Sequence, residues 1–134
     1  MIEPAEVYLI KAIASLAGAE SEFANGRYDN CANRCYFAVF QAAIAALVHA
    51  GLVADRIGRI WDHGFVQAEF IGRLINRQRV YPARLRQTLS QNRELRDRAD
   101  YTSQLVSEVQ ARRALQRSRD FVAAVREVVT TDEN

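Results

Sequence analysis

Lysine is almost absent from this 134-residue chain: Lys11 is the only one, and arginine supplies the rest of its 18 basic residues. Proline and glycine are scarce too, at 2 and 6 residues, which leaves few turn signals and argues against a many-stranded fold. Two histidines and two cysteines offer little to a metal centre. Cys31 and Cys35 stand four apart, a spacing that makes a disulfide awkward on a helix. No His or Cys beside them completes a zinc set. They read as buried free thiols of a reducing cytoplasm. No Gly-rich phosphate loop, HExxH, GxSxG or paired CxxC occurs. Met1-Ile2-Glu3-Pro4 lacks the basic start of a secretory signal. The longest apolar run, Cys35 to Val48, is interrupted by Gln41 and falls short of the roughly 20 residues of a membrane span. A cytoplasmic protein without a membrane segment is expected, with no cofactor and no metal.

What is present is helical periodicity. Asp29 to Gly51 has the length and composition of one long helix, with Asp29 as its cap. Ala32, Tyr36, Val39, Phe40, Ala43 and Leu47 mark one apolar face, and Phe37, Ile44 and Val48 a second. A helix apolar around most of its circumference is packed on by several others. Its remaining stripe, Arg34, Ala38, Gln41, Ala45 and His49, either faces water or makes a close helix–helix contact. If that contact is a dimer interface, Ala38→Glu or Ala45→Glu gives monomers.

The other elements follow in order. A first helix runs from about Pro4 to Asn25, its core stripe Leu9, Ala12, Ile13, Leu16 and Phe23; Glu20 shares the sector and needs a partner if buried. Asn25-Gly26 ends it, and the short connection makes an antiparallel hairpin. Residues 51–61 have no clean period and read as a loop. A third helix spans about His63 to Arg77, capped by Asp62. A fourth spans about Pro82 to Asp100, with Leu85, Leu89, Leu95 and Ala99 inward. After a turn, Tyr101 to Val106, the Ser107–Gln110 capping box opens the last helix. Its stripe is Ala111, Ala114, Leu115, Ser118, Phe121, Val122, Val125 and Val129; residues 130–134 read as a frayed tail. The expectation is a single all-α domain over residues 1–134, a five-helix up-down bundle with a long buried second helix.

Net charge is +2, unevenly placed. Arg73 to Arg119 holds twelve Arg against Glu94, Asp97, Asp100 and Glu108, whereas the rest of the chain is acidic. Arginine forks match phosphate and stack on bases, so this half suits nucleic acid or a nucleotide; solvated, acid-paired helix faces would give the same count. The densest group is RELRDRADY, Arg93 to Tyr101. Arg93, Arg96 and Arg98 could hold a phosphate and Tyr101 could stack. The structural alternative is a salt-bridge ladder, Arg93–Asp97 and Arg96–Asp100. Of the histidines, His49 ends a buried helix, and His63 starts one beside Trp61 and Asp62, where it could cap, pair or act.

The block G-x-Y-D-N-x-A-N-R-x-Y-F-A-x-F, Gly26 to Phe40, resembles the second helix of HEPN-domain proteins. His63-Gly64-x-Val66, Phe70, R-x-x-R-x-x-A-D-Y (Arg93 to Tyr101), Ala114 and Phe121-Val122 fit the same branch, in order along nearly the whole chain. The resemblance implies a helical bundle that commonly forms homodimers. It also implies toxin–antitoxin pairing with an MNT-type nucleotidyltransferase. Many such proteins are metal-independent ribonucleases with an R-x4-6-H motif near the end of the fourth helix. There the His moves protons at the 2′-hydroxyl and leaving oxygen while Arg stabilises phosphate charge. Aligned on Tyr101, the His position here is Ala99, with Asp100 beside it, and a carboxylate replaces His near neutral pH only if its pKa rises greatly. The first reading is therefore a HEPN subunit without that ribonuclease activity. It would bind RNA, nucleotide or a nucleotidyltransferase through Asn33, Arg34, Arg93, Arg96, Asp100 and Tyr101. The alternative is a ribonuclease toxin whose rearranged site recruits His63 as the catalytic base with Arg96. Tyr101 is the residue the resemblance offers for adenylylation by a partner.

Overall fold

Among the described residues five α-helices, one π-helical stretch and one 3₁₀ turn fold back on each other. The structure, a computed structural model, describes residues 2–55 and 61–131. Among these residues the elements are α1 (Pro4–Ala24), α2 (Tyr28–His49) and α3 (His63–Glu69), which continues as a π-helical stretch, Phe70–Arg77. A single 3₁₀ turn, Ala83–Leu85, then precedes α4 (Thr88–Tyr101) and α5 (Glu108–Thr131). No strand occurs among the described residues. The all-α bundle expected from periodicity is the fold observed.

The α1–α2 turn forms because Gly26 takes φ 72°, the left-handed cap that L side chains disfavour. Arg27 N–H then reaches Glu22 O and Gly26 N–H reaches Phe23 O, satisfying carbonyls the helix end would otherwise orphan. The next helix begins earlier than expected, at Tyr28. Asp29 therefore lies inside α2 and is no cap: its Oδ1 accepts from Val106 N–H at 2.8 Å, tying the start of α2 to the α4–α5 turn.

α2 is the axis of the bundle. Every residue from Ala42 to Leu47 is buried, and α1, α3, α4 and α5 all pack on the helix. At 22 residues it is long and apolar enough to cross a membrane, contrary to the length argument from its sequence, yet 72% of its most apolar stretch is buried inside the bundle. The small stripe resolves as a close helix–helix contact within the chain. Ala38 and Ala45 have no exposed surface, Gln41 is hydrogen bonded to Ser15 of α1 at 2.7 Å, and Arg34 lies over Gly18. Ala38 and Ala45 leave no free surface at the middle of the stripe, because it is turned toward α1.

The remaining differences have local causes. Glu20 is exposed and pairs with Arg119 at 3.5 Å, so it needs no buried partner. Pro82 opens the isolated 3₁₀ turn, and α4 starts only at Thr88. Asn92 faces the core of α4, where its amide donates to Ser118 Oγ at 2.8 Å and accepts from Arg117 Nε at 2.7 Å. Ser107 and Gln110 do cap α5 reciprocally, and Asp62 Oδ1 caps α3 through Phe65 N–H. The α5 stripe is buried residue for residue as its period demands. The helix runs further than expected: Thr130 and Thr131 are helical. Residues 132–134 of the expected tail, and 56–60 of the expected loop, lie outside the described residues. Cys31 and Cys35 are buried free thiols.

Candidate functional site

The first half of α2 and the second half of α4 pack side by side, and α3 begins across from them. Asp62, by capping α3, fixes His63 as its first residue. The His63 ring stacks on Phe40 at a centroid distance of 4.4 Å and on Tyr36 at 5.4 Å, and its Nδ1 is hydrogen bonded to Tyr36 Oη. Tyr36 is a buried aromatic with a polar tip that must find a partner. No residue of its own helix supplies one; His63 does.

Arg96 closes this arrangement from α4. Its guanidinium lies 4.9 Å from the Tyr36 ring centroid, 5.7 Å from Phe37 and 5.6 Å from Tyr101. Only 13% of its side chain is exposed, and Asp97 holds it at 3.1 Å. Arg93 and Arg96 act electrostatically on both members of the Tyr36–His63 pair. Burial first, then these two cations, push the His63 pKa below its ordinary value, against the opposing pull of Asp62 and Asp97. Burial pushes the Tyr36 phenol up to about 12 although both arginines oppose it. At neutral pH the pair is thus an uncharged phenol beside an uncharged imidazole. Of its two hydrogen-bonded forms, only the one in which Nδ1–H donates to Tyr36 Oη leaves Nε2 able to accept a proton.

A second group adjoins it over Phe37. Arg34 lies 5.1 Å from the Phe37 centroid and donates from Nε and Nη2 to Asn33 Oδ1 at 3.1 and 2.8 Å. Asn33 Nδ2 in turn donates to Asp100 Oδ2 at 2.8 Å. The expected ladder is absent: Arg96 pairs with its neighbour Asp97, Arg98 with Glu94 at 4.0 Å, and Asp100 is taken by Asn33.

On the solvent side, Arg93, Arg96, Arg98, Tyr101, Thr102 and Gln104 line an open groove of about 650 Å³, with Glu94 and Asp97. Tyr101 is 74% exposed at its rim. The turn beyond it is ordered from within: Thr102 Oγ1 donates to Arg98 O at 2.7 Å and accepts from Gln104 N–H at 3.1 Å. An arginine-lined groove with an exposed aromatic at its edge can bind phosphate and stack a base.

All the candidate residues meet in this one region: His63, Arg93, Arg96 and Tyr101 around the stacked rings, and Asn33, Arg34 and Asp100 beside them. Ala99 does not. It packs half-buried against the second cluster of the core, with Cys31, Leu95 and Ala111. Tyr36, Phe37, Phe40 and Asp97 were not among the expected site residues. Among the described residues no three His, Cys, Asp or Glu side chains converge to hold a metal.

A sequence model of the HEPN domain matches residues 5–128 of the chain. No curated protein matches it.

Proposed function

Because the chain belongs to the HEPN-domain family, we propose that it binds a phosphate-bearing ligand, RNA or a nucleotide, in the groove beside Tyr101. In this reading it is the HEPN subunit of a toxin–antitoxin-like pair. The observation that carries it is the convergence of Arg93, Arg96, Arg98 and an exposed Tyr101 on one open groove. Arginine supplies fixed forks for phosphate oxygens, and the ring supplies a stacking face for any base. The exposed phenol of Tyr101 is also where an MNT-type nucleotidyltransferase partner would transfer a nucleotidyl group, blocking the groove with added bulk and negative charge. A homodimer and a cytoplasmic setting belong to the same reading.

A second reading is favoured by one observation, the packing of His63 under the charges of Arg93 and Arg96. In it the protein is a metal-independent ribonuclease. Neutral His63, oriented by Tyr36 through Nδ1, takes the 2′-hydroxyl proton at Nε2, and Arg96 stabilises the charge that develops on the phosphate.

One experiment separates the two: anisotropy and gel analysis of labelled single-stranded RNA with purified protein in EDTA. Binding is expected for the wild type, weakened by about 1–3 kcal/mol in Tyr101→Ala, the range for loss of one base stack. Binding without cleavage supports the first reading. Cleavage that disappears in both His63→Ala and Arg96→Ala supports the second. RNA and mononucleotides that bind neither the wild type nor its dimer would overturn both.

A further inference from the structure

The side of α1 turned to the bundle carries Ala5, Leu9, Ala12, Ser15 and Ala19, all buried, and the helix packs on α2 and α5. Its opposite side obeys a different spacing. Val7, Ile10, Ala14, Ala17, Ser21 and Ala24 are all exposed and step alternately by three and four residues. That is the 3.5-residue repeat of a coiled-coil seam, with Val7 and Ile10 as its first a and d positions. The seam runs without a charged residue for roughly 26 Å, most of the length of the helix.

Val7 is 38% exposed and Ile10 55%. Scattered apolar residues on a surface are ordinary, but an unbroken line in heptad register is not scatter. In the second half of the seam Ala14, Ala17 and Ala24, with Gly18 beside them, leave room for another backbone to approach closely.

The flanks of the seam determine which occupant fits. One flank carries Lys11, between Pro4 and Gly18; the other carries Glu6 and Glu20, on either side of Ile13. Lys11 is the only lysine of the chain, and its ammonium rests over the Tyr8 ring at 5.9 Å. Among the described residues neither Lys11 nor Glu6 makes an ion pair. In a parallel, in-register pair of such helices, each g position meets the e position five residues further along on the other helix. Glu6 then meets Lys11 of a second copy, and two-fold symmetry makes the pair twice. Turned antiparallel over the full seam, like flank meets like, and Glu6 falls opposite Glu20 of the other copy. The surface attracts itself in one orientation and repels itself in the other, which is what a specific two-fold contact requires.

We propose that a second copy of this chain docks on the exposed side of α1, helix against parallel helix about a two-fold axis, with Glu6 of each copy paired to Lys11 of the other. The proposal rests on the homodimer of the reading above and not on its phosphate groove. Every residue lining that groove lies between 93 and 104, so the pairing leaves a complete groove on each copy.

The test is the dimer dissociation constant of the full chain, by sedimentation over a concentration series, for the wild type and four variants. Ile10→Glu sets two carboxylates face to face in the seam and should weaken the dimer by roughly 100-fold or more. Glu6→Lys and Lys11→Glu each turn two attractions into repulsions and should weaken it about tenfold. The double variant Glu6→Lys/Lys11→Glu should return to within about threefold of the wild type. None of the changed residues is buried, and circular dichroism checks that each variant is folded. A dimer indifferent to Ile10→Glu overturns the α1 surface and leaves the homodimer to another one. Loss in Ile10→Glu without recovery in the double variant overturns the parallel pairing. A wild type that is monomeric at every concentration overturns the proposal and the homodimer together, while RNA binding in the Tyr101 groove is decided separately. Co-sedimentation of that monomer with phosphatidylcholine vesicles, lost in Ile10→Glu, gives the surface to a membrane and overturns the proposal equally.

Discussion

His63 and Asn92 show how single polar side chains organise this helical core. His63 has a depressed pKa, so the folded state resists a proton that the unfolded chain accepts near pH 6.5. Its contribution is therefore complete above about pH 6.5 and is lost as pH falls through the folded-state value. Melting temperature should drop between pH 7.5 and 5 more steeply for the wild type than for His63→Gln; parallel curves would remove His63 from that role. Asn92 is 1% exposed and partners Ser118, Arg117 and the Cys35 carbonyl. Asn92→Ala should cost about 1–3 kcal/mol in denaturant unfolding, because it takes the acceptor from the half-buried Arg117 guanidinium and leaves the Ser118 hydroxyl with Ala114 O alone. Neither role was legible in the sequence. Periodicity reports which side of a helix faces inward, and a polar residue on that side gives no sign of a partner 26 or 27 positions away. Tyr36 misled for the same reason: its spacing marks it as core, which it is, while its hydroxyl belongs to the site.

At the scale of elements, patterning succeeded wherever one side of a helix settles its packing. The α5 stripe and the caps at Asp62 and Ser107 follow directly from sequence, since each depends on neighbours within four residues. The starts of α2 and α4 did not. Asp29 has the chemistry of a cap, but tertiary pairing with Val106 was the stronger demand, and the wide turns of the π-helical stretch have no clear local signature. The α1–α2 contact yields a paired prediction. Gly18 is mid-helix, and a Cβ there would meet Arg34 Cδ at 3.5 Å, an ordinary contact. Gly18→Ala should stabilise the protein by about 0.5–1 kcal/mol. Ala38→Glu, which forces a carboxylate between two packed helices, should cost more than about 3 kcal/mol and abolish cooperative melting. Folded monomers from Ala38→Glu would contradict the packing described.

At the scale of the whole molecule, the Tyr101 groove depends on contacts between distant parts of the chain. The turn that follows Tyr101 is clasped by Asp29, 77 positions before Val106. Asp29→Ala should leave the buried Val106 N–H unpaired at a cost of about 1–3 kcal/mol. Amide exchange at Val106 should accelerate while that of mid-α2 changes only with global stability; equal acceleration would mean the clasp has no local role. The clasp also bears on the timing of synthesis. The ribosome releases α1 and α2 long before residue 106 and the α5 stripe that packs behind it. A nascent or truncated chain can form the N-terminal hairpin, yet it has no ordered platform beside Tyr101. The wall of the groove is therefore complete only once residue 106 and the α5 residues behind it have been made.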